Sequence, residues 1–185
     1  RNIIKPMSAL EVQPQIQENE IPYLTFSADT AQSLTMSKAV ATLEYSVGGS
    51  EWKELGTNTV NFGGEHGVLR LRGKSSIGTA NSRSDYSSIK FGNNVLVSCT
   101  GDIRTLIDYE MYSTINTNNA RFCNLFYRCS KLITAPKLPA TALADDCYVS
   151  MFSYCNNLTT APELPATTLT KYCYQLMFNG CTSLV

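Results

Sequence analysis

The segment CSKLITAPKLPATALADDC (residues 129–147) recurs further along the chain as CNNLTTAPELPATTLTKYC (residues 155–173). The two segments are identical at 11 of 19 positions, and the same spacing of 26 residues leads from Cys155 to Cys181. A fixed period of about 20–45 residues is typical of stacked units, none of which can bury its apolar face alone. The sequence therefore predicts a stacked repeat over residues 121–185, preceded by a degenerate first unit over 93–120.

Within each copy, the spacing of apolar residues predicts a short helix. In the second copy the apolar side chains that would share one helical stripe are Cys147, Tyr148, Met151, Phe152 and Cys155. A Leu-Thr-Thr segment bounded by prolines follows, and it predicts a strand of about 3–5 residues. We therefore expect a helix, a tight turn, a strand and a proline-bounded loop in each copy. Two columns of equivalent residues are expected to be buried: Leu125/Met151/Met177 and Phe126/Phe152/Phe178.

The chain from Leu138 to Leu169 reads LPATALADDCYVSMFSYCNNLTTAPELPATTL. This pattern resembles the repeat of the BspA-like leucine-rich-repeat surface proteins of Bacteroides-type bacteria. The preceding half of the chain is similar to the β-rich module that often comes before such arrays. The resemblance implies a right-handed solenoid with a parallel sheet on one face. It also implies export to the cell surface and a role in adhesion or host-protein binding.

Residues 22–92 follow a different pattern, in which apolar and polar residues alternate as they do in strands. The predicted strands are 23–26, 33–36, 41–47, 59–62 and 68–72, with a hairpin turn at Gly48-Gly49. Short strands separated by glycine turns favour a small antiparallel β-sandwich. Residues 1–21 are predicted to be an arm or linker, with a docked edge strand as the alternative. The predicted fold class is therefore α+β, with a β-sandwich over 22–92 followed by a leucine-rich-repeat helix–strand solenoid over 93–185.

The composition argues against two classes of partner. The 15 basic and 15 acidic residues balance, and no basic run occurs, so nucleic acid and anionic membrane surfaces are not the expected partners. No apolar stretch reaches the ~20 residues of a membrane-spanning helix. The expected location is the cell surface or the secreted fraction. The chain opens at Arg1 without a methionine, so a signal or anchor outside these residues is compatible with that location.

The seven cysteines are predicted to be free, buried thiols rather than a disulfide framework. Several of them occupy equivalent positions in successive copies, and helices packed side by side would lie about 8–10 Å apart. That separation exceeds the Cα distance of under ~7 Å that a disulfide requires. There is no CxxC motif, and the only histidine is His66, so neither a metal site nor a cofactor is expected. His66 lies in a Gly-Gly-Glu-His-Gly turn, and no catalytic residue is predicted, so the chain is not expected to be an enzyme.

The leading hypothesis is a non-enzymatic surface or adhesion protein that contacts host or matrix proteins through the strand side of the repeat. The predicted contact residues on that face are Thr134, Lys137, Thr160 and Glu163. One alternative is carbohydrate binding by the N-terminal region, through the Ser/Asn-rich loop over 73–88 and Tyr86. Another is a structural spacer that displays a further domain.

Self-association is a further expectation for this chain. The third copy stops at Leu184-Val185, before its strand, loop or any polar capping unit. Stacked repeats without a cap expose both apolar surface and unpaired backbone. We therefore expect the C-terminal end to mediate contacts between copies of the chain.

Overall fold

The structure, a computed structural model, describes residues 21–40 and 42–185. The arm predicted over residues 1–21 lies outside the described residues, apart from Ile21. Within the described ranges the chain is mostly β, with short strands and three 3₁₀ helices. The strands are β1 (Leu24–Ser27), β2 (Gln32–Met36), β3 (Leu43–Val47), β4 (Lys53–Glu54), β5 (Val60–Phe62), β6 (Leu69–Gly73), β7 (Ala80–Ser82), β8 (Asp85–Tyr86), β9 (Ile89–Phe91), β10 (Val97–Thr100) and β11 (Leu132–Thr134). The 3₁₀ helices are Gly64–His66, Ile103–Leu106 and Tyr112–Thr114.

The strands form three open sheets. The largest has the order β11-β10-β1-β6-β3-β4, in which only the β10–β11 pair is parallel. A second sheet has the order β5-β2-β9, and β7 pairs with β8 in a separate hairpin. The alternation that predicted the strands is visible in β2, where Gln32, Leu34 and Met36 are buried and the residues between them are half-buried. Such alternation lets one face of a sheet cover a core while the other faces solvent.

The core of the two larger sheets is continuous with that of the repeats. The ring of Phe26 in β1 lies 6.4 Å from that of Phe62 in β5 and 6.1 Å from that of Phe91 in β9. The same ring lies 6.3 Å from that of Phe126 in the first copy of the repeat. A single hydrophobic cluster therefore extends from the sheets into the repeats.

The predicted β-sandwich is wrong. The strands of residues 22–92 do not form a self-contained pair of sheets, because β10 and β11 of the following region extend the largest open sheet. Each of these strands bonds to its neighbour through its backbone, and β10 lies between β1 and β11. Part of the Ser/Asn-rich segment predicted as a loop forms the β7–β8 hairpin. The division into domains at residues 21 and 92 stays a prediction.

The predicted helix–strand solenoid is also wrong, because the described residues contain no α-helix. The segments predicted as helices are runs of overlapping turns, in which Leu125 N–H donates to the Phe122 carbonyl and Cys129 N–H to the Phe126 carbonyl. Every fourth residue has a left-handed backbone, with φ of 55° at Asn124 and 60° at Arg128. An α-helix requires negative φ at every residue and hydrogen bonds to the fourth residue back, so these segments cannot be helical.

The copies are joined by hydrogen bonds between successive turns. The amides of Phe122 and Phe126 donate to the carbonyls of Cys147 and Met151 at 2.7 Å and 2.9 Å. Along the turn stack, amides alternate between two kinds of hydrogen bond: one closes a turn within the copy and the next donates to a carbonyl of the following copy. The backbone groups that burial removes from water are thereby hydrogen-bonded. The same relation joins the second copy to the third. We call this arrangement, over residues 120–129, 144–155 and 172–181, the turn stack.

Side chains follow the same 26-residue period through the turn stack. The ring of Phe152 lies between those of Phe126 and Phe178, with centroids 5.3 Å and 5.8 Å away and planes within 6° and 4° of parallel. The predicted stacking of the three phenylalanines is therefore confirmed, although turns rather than helices carry it and Phe178 is half-buried rather than buried. Cysteine thiols fill the neighbouring column. The Cys155 thiol donates to the Phe126 carbonyl, and the Cys181 thiol donates to the Phe152 carbonyl, both at 3.0 Å.

All seven cysteines are free, as predicted. The argument from helix spacing was wrong, since no α-helix occurs among the described residues to set that spacing. The thiols of Cys147, Cys155 and Cys181 donate to carbonyls of the preceding copy, which gives a different reason for these repeated positions. A thiol is a small apolar side chain with a weak donor, which suits a buried site facing a carbonyl.

Residues of the N-terminal region occupy the start of the turn stack. Thr79 N–H donates to the Arg121 carbonyl at 2.9 Å and Ile89 N–H donates to the Leu125 carbonyl at 2.7 Å. These carbonyls are the ones that an earlier copy would have bonded. Gly78 makes the approach possible, because its φ is 76° and a side chain there would collide with the Arg121 backbone.

The strand predicted after each helix forms in the first copy only. In that copy it is β11, which pairs in parallel with β10. The equivalent residues of the second copy, 158–160, form no strand in the structure as described. Their contact with the first copy includes a long hydrogen bond of 3.5 Å from Thr159 N–H to the Ile133 carbonyl. The parallel face of the repeat is therefore much shorter than predicted.

Candidate functional site

Two of the four predicted protein-binding residues line one groove. The groove has a volume of about 560 Å³ and lies where the proline-bounded loops of the first two copies meet. Its lining residues are Ala135, Pro136, Lys137, Leu138, Pro139, Pro162, Glu163 and Pro165. We call it the proline groove. Lys137 and Glu163 are exposed in it, and neither makes an ion pair with another described residue.

The prolines explain why this surface has a fixed shape. Proline has a locked φ and no N–H, so these loops cannot continue a backbone ladder beyond β11. The backbone of Lys137 makes an isolated parallel bridge with Asp102, in which the Lys137 amide donates to the Gly101 carbonyl and the Lys137 carbonyl accepts from Ile103 N–H. Leu138 is buried beneath the groove and anchors it to the core. The groove is consequently a rigid, largely apolar surface with one charge of each sign.

The two predicted threonines lie apart from the groove lining and differ in their bonding. Thr134 is exposed in β11, but its hydroxyl accepts from Cys99 N–H at 3.0 Å and donates to the Cys99 carbonyl at 2.9 Å. The Thr134 hydroxyl thus uses both its donor and an acceptor lone pair to extend the β10–β11 pairing. Thr160 is exposed in the second copy. Of the two predicted hydroxyls, Thr134 has a structural role and Thr160 alone is a candidate for contact with a partner.

Tyr86, the predicted glycan contact, lies between two pockets. One has a volume of about 460 Å³ and is lined by residues that include Lys38, Lys74 and Asp85. Both lysines are paired there: Lys38 with Asp85 at 2.7 Å, and Lys74 with two carboxylates. The hydrogen bonds from Lys38 and Asn81 lower the pKa of Asp85 below its ordinary value. The charges of this pocket are therefore largely matched within the protein.

The other pocket next to Tyr86 contains residues that the sequence interpretation missed. It has a volume of about 540 Å³ and lies between β9 and the end of the first copy of the turn stack. Its lining residues are Ser37, Tyr86, Ser88, Ile89, Lys90, Phe91, Tyr127, Arg128, Cys129, Ser130 and Lys131. Three of these side chains are cationic and none is acidic. We call it the basic pocket.

Candidate groups for chemistry are few in the described part of the chain. His66 is exposed in the turn after β5. Burial raises the pKa of Cys147 to about 11, and burial together with the nearby Asp146 carboxylate raises that of Cys123 to about 11. Both thiols are therefore protonated near neutral pH, the form that is a poor nucleophile. No group of three or more potential metal ligands occurs among residues 21–40 and 42–185.

Comparisons with protein families, with curated proteins and with solved structures find no match to this chain. In the ranges that the structure describes, no helix has the length and apolar character needed to cross a membrane.

Proposed function

We propose that the chain is a non-enzymatic, cell-surface or secreted binding protein that contacts an extracellular protein partner through the proline groove. The observation that carries the proposal is the lining of this groove, in which four prolines from two successive copies surround Lys137 and Glu163. A rigid apolar surface loses little conformational entropy on binding, which favours its use as a docking site. The expected occupant is an extended segment of the partner with apolar side chains.

The charges beside the groove support a polypeptide occupant. Lys137 and Glu163 occupy equivalent positions in neighbouring copies and both side chains are exposed. An extended peptide with charges of both signs could pair with each of them while its apolar side chains contact the prolines. Charged groups at the rim of an interface contribute more to orientation and association rate than to affinity. The prolines and Leu138 would supply the apolar contact.

A binding experiment with purified extracellular matrix proteins tests this proposal. The unmodified chain is immobilised, and binding is compared with that of two groove variants, Lys137→Glu and Pro165→Arg. We expect each variant to weaken binding of the same matrix protein by at least about tenfold, because both introduce an unpaired charge at the contact. Lys53→Glu is the matched control, since it reverses an exposed charge on β4, away from the groove. Its affinity should equal that of the unmodified chain.

Two results would contradict the proposal. If both groove variants bind as tightly as the unmodified chain, the contact lies elsewhere on the surface. If no matrix protein binds at micromolar concentration, the role of structural spacer becomes the better explanation. The alternative of carbohydrate binding uses a different part of the chain, around Tyr86.

A further inference from the structure

The basic pocket carries an unbalanced positive charge. Lys90 on β9, and Arg128 and Lys131 at the end of the first copy, all line it. Within the described residues these three cations make no ion pair, whereas Lys38 and Lys74 in the neighbouring pocket are paired with carboxylates. Several cations that share a concave site raise the local concentration of anions. An anionic group in the pocket would relieve their mutual repulsion.

The guanidinium of Arg128 is held over aromatic rings instead of a carboxylate. Its Cζ lies 5.3 Å from the ring centre of Tyr127 and 5.7 Å from that of Tyr154, and these two rings pack edge to face at 5.9 Å. Cation–π contacts of this kind restrict the side chain but leave its N–H donors available. Arg128 is therefore positioned to donate to an oxyanion in the pocket.

The walls of the pocket are tied to each other, so the pocket is formed before any ligand arrives. The Ser88 hydroxyl donates to the Asn124 carbonyl at 2.7 Å, and the Cys129 thiol donates to the Ile89 carbonyl at 3.2 Å. Ser37 Oγ accepts from Ser88 N–H at 2.9 Å, which leaves the hydroxyl proton of Ser37 free to be donated. The pocket thus combines cations, aromatic rings and a hydroxyl donor within about 540 Å³, a volume within the range of small-ligand sites.

The cations are departures from the repeat. The residues at the positions of Tyr127, Arg128 and Lys131 are Ser153, Tyr154 and Asn157 in the second copy, and Asn179, Gly180 and Ser183 in the third. The turn stack forms in all three copies, with left-handed backbone at Arg128, Tyr154 and Gly180 alike. The turn therefore does not need a cation at this position. Arg128 and Lys131 occur only in the copy that faces β9.

We propose that the basic pocket binds the anionic group of an acidic saccharide. The carboxylate of a uronic acid or the sulfate of a sulfated sugar would accept from Arg128 and pair with Lys90 and Lys131. The sugar ring would pack against the apolar faces of Tyr86 and Tyr127, and its hydroxyls would bond to Ser37 and Ser130. Aromatic side chains combine such an apolar face with a polar tip. This site is separate from the proline groove and does not depend on the protein-binding proposal.

Amide chemical shifts of the full 185-residue chain provide the test, with glucuronic acid, glucose and inorganic sulfate titrated separately. We expect saturable shifts at Tyr86, Lys90 and residues 127–131 with glucuronic acid, weaker binding at higher salt, and at least about tenfold weaker binding of glucose and of sulfate. A sulfated monosaccharide, titrated in the same way, distinguishes a preference for carboxylate from one for sulfate. Saturable binding of either acidic sugar at these residues supports the proposal.

The decisive variant takes its residues from the chain's own repeat. Arg128→Gly/Lys131→Asn places the third-copy and second-copy residues in the first copy, so the turn stack should be preserved. We expect glucuronic acid to bind at least about tenfold more weakly to this variant, with an unchanged melting temperature. Lys53→Gln, which removes an exposed cation on β4 outside both candidate sites, is the matched control and should bind normally. Lys90→Gln is a second test that leaves the turns untouched.

Several results would overturn the proposal. They are equal affinity for glucose, equal affinity for sulfate without the sugar, unchanged binding by the pocket variants, or no shifts at millimolar ligand. None of these results depends on whether a matrix protein binds the proline groove.

Discussion

Truncation of Phe152 to alanine is the most direct test of the turn stack. Phe152 is fully buried, and its ring is stacked between those of Phe126 and Phe178. Burial of a phenylalanine removes on the order of 150–250 Å² from water, and at about 25 cal/mol per Å² this contributes roughly 4–6 kcal/mol. Alanine keeps part of that contribution, and buried Phe→Ala changes in other proteins cost about 3–5 kcal/mol. We therefore expect Phe152→Ala to lower the free energy of unfolding by about 3–5 kcal/mol.

Urea denaturation followed by circular dichroism measures this loss. Phe178→Ala is the matched control because Phe178 is half-buried and stacks on only one ring of the column. It should cost less, about 1–2 kcal/mol, since less apolar area is removed from water. A loss below about 1 kcal/mol for Phe152→Ala would refute the reasoning, because a ring in that environment cannot be removed so cheaply. Equal losses for the two variants would show that the column does not have the described geometry.

Three other predictions concern the same region. The buried Tyr148 hydroxyl has no hydrogen-bond partner among the described residues, and the equivalent first-copy residue is Phe122. Tyr148→Phe should therefore raise the free energy of unfolding by up to about 1 kcal/mol; a lower free energy of unfolding in urea would show that the hydroxyl is hydrogen-bonded. Thiol titration in denaturant without reductant should find seven groups, and five groups or fewer would indicate disulfides. In the folded protein at pH 8 the reaction should be much slower, because burial raises the pKa of thiols, that of Cys147 to about 11. The third copy and the loop before it expose large apolar side chains, among them Leu169, Tyr172 and Leu176. Light scattering at micromolar concentration should therefore detect a dimer or larger species, and a strictly monomeric chain would contradict that expectation.

The sequence predicted β1, β2, β3, β5 and β6 well because their signal is local, whereas the short strands β7 and β8 lie in the segment predicted as a loop. Alternation along residues 33–36 or 68–72 depends only on neighbours, and the corresponding strands β2 and β6 lie within one residue of the predicted ranges. The column of Phe126, Phe152 and Phe178 could also be predicted from the sequence, since identical spacing implies equivalent environments in a stack. The arrangement of the strands into sheets could not be predicted from these patterns. The pairing of β1 with β10 joins residues far apart in sequence, and a pattern within either strand does not specify it.

The helix prediction failed because two structures share nearly the same period. Apolar residues at Tyr148, Met151, Phe152 and Cys155 suit a helix of 3.6 residues per turn, but they also suit turns that repeat every four residues. Over so short a segment the two periods stay in phase. Composition was the available signal, since asparagine, serine, cysteine and tyrosine favour helices weakly. Gly180, inside the third predicted helix, was a second signal, because glycine readily adopts the left-handed conformation found there.

The two candidate sites differed in how much the sequence could predict. The proline groove was partly foreseen because Lys137 and Glu163 belong to the repeat that the sequence displays. The basic pocket was not foreseen, because it is lined both by Lys90 and by residues about 40 positions later in the sequence.

The turn stack explains how one copy can depart from the repeat without losing its fold. Its backbone hydrogen bonds run between copies irrespective of the side chain at each left-handed position, so arginine, tyrosine and glycine occupy equivalent places at Arg128, Tyr154 and Gly180. The buried columns vary less, and keep apolar side chains of similar size, because each ring or thiol packs against its equivalents. Selection for binding can therefore alter the exposed positions of one copy without disturbing its neighbours. Arg128 and Lys131, which are exposed or half-buried and confined to the copy beside β9, are variations of this permitted kind.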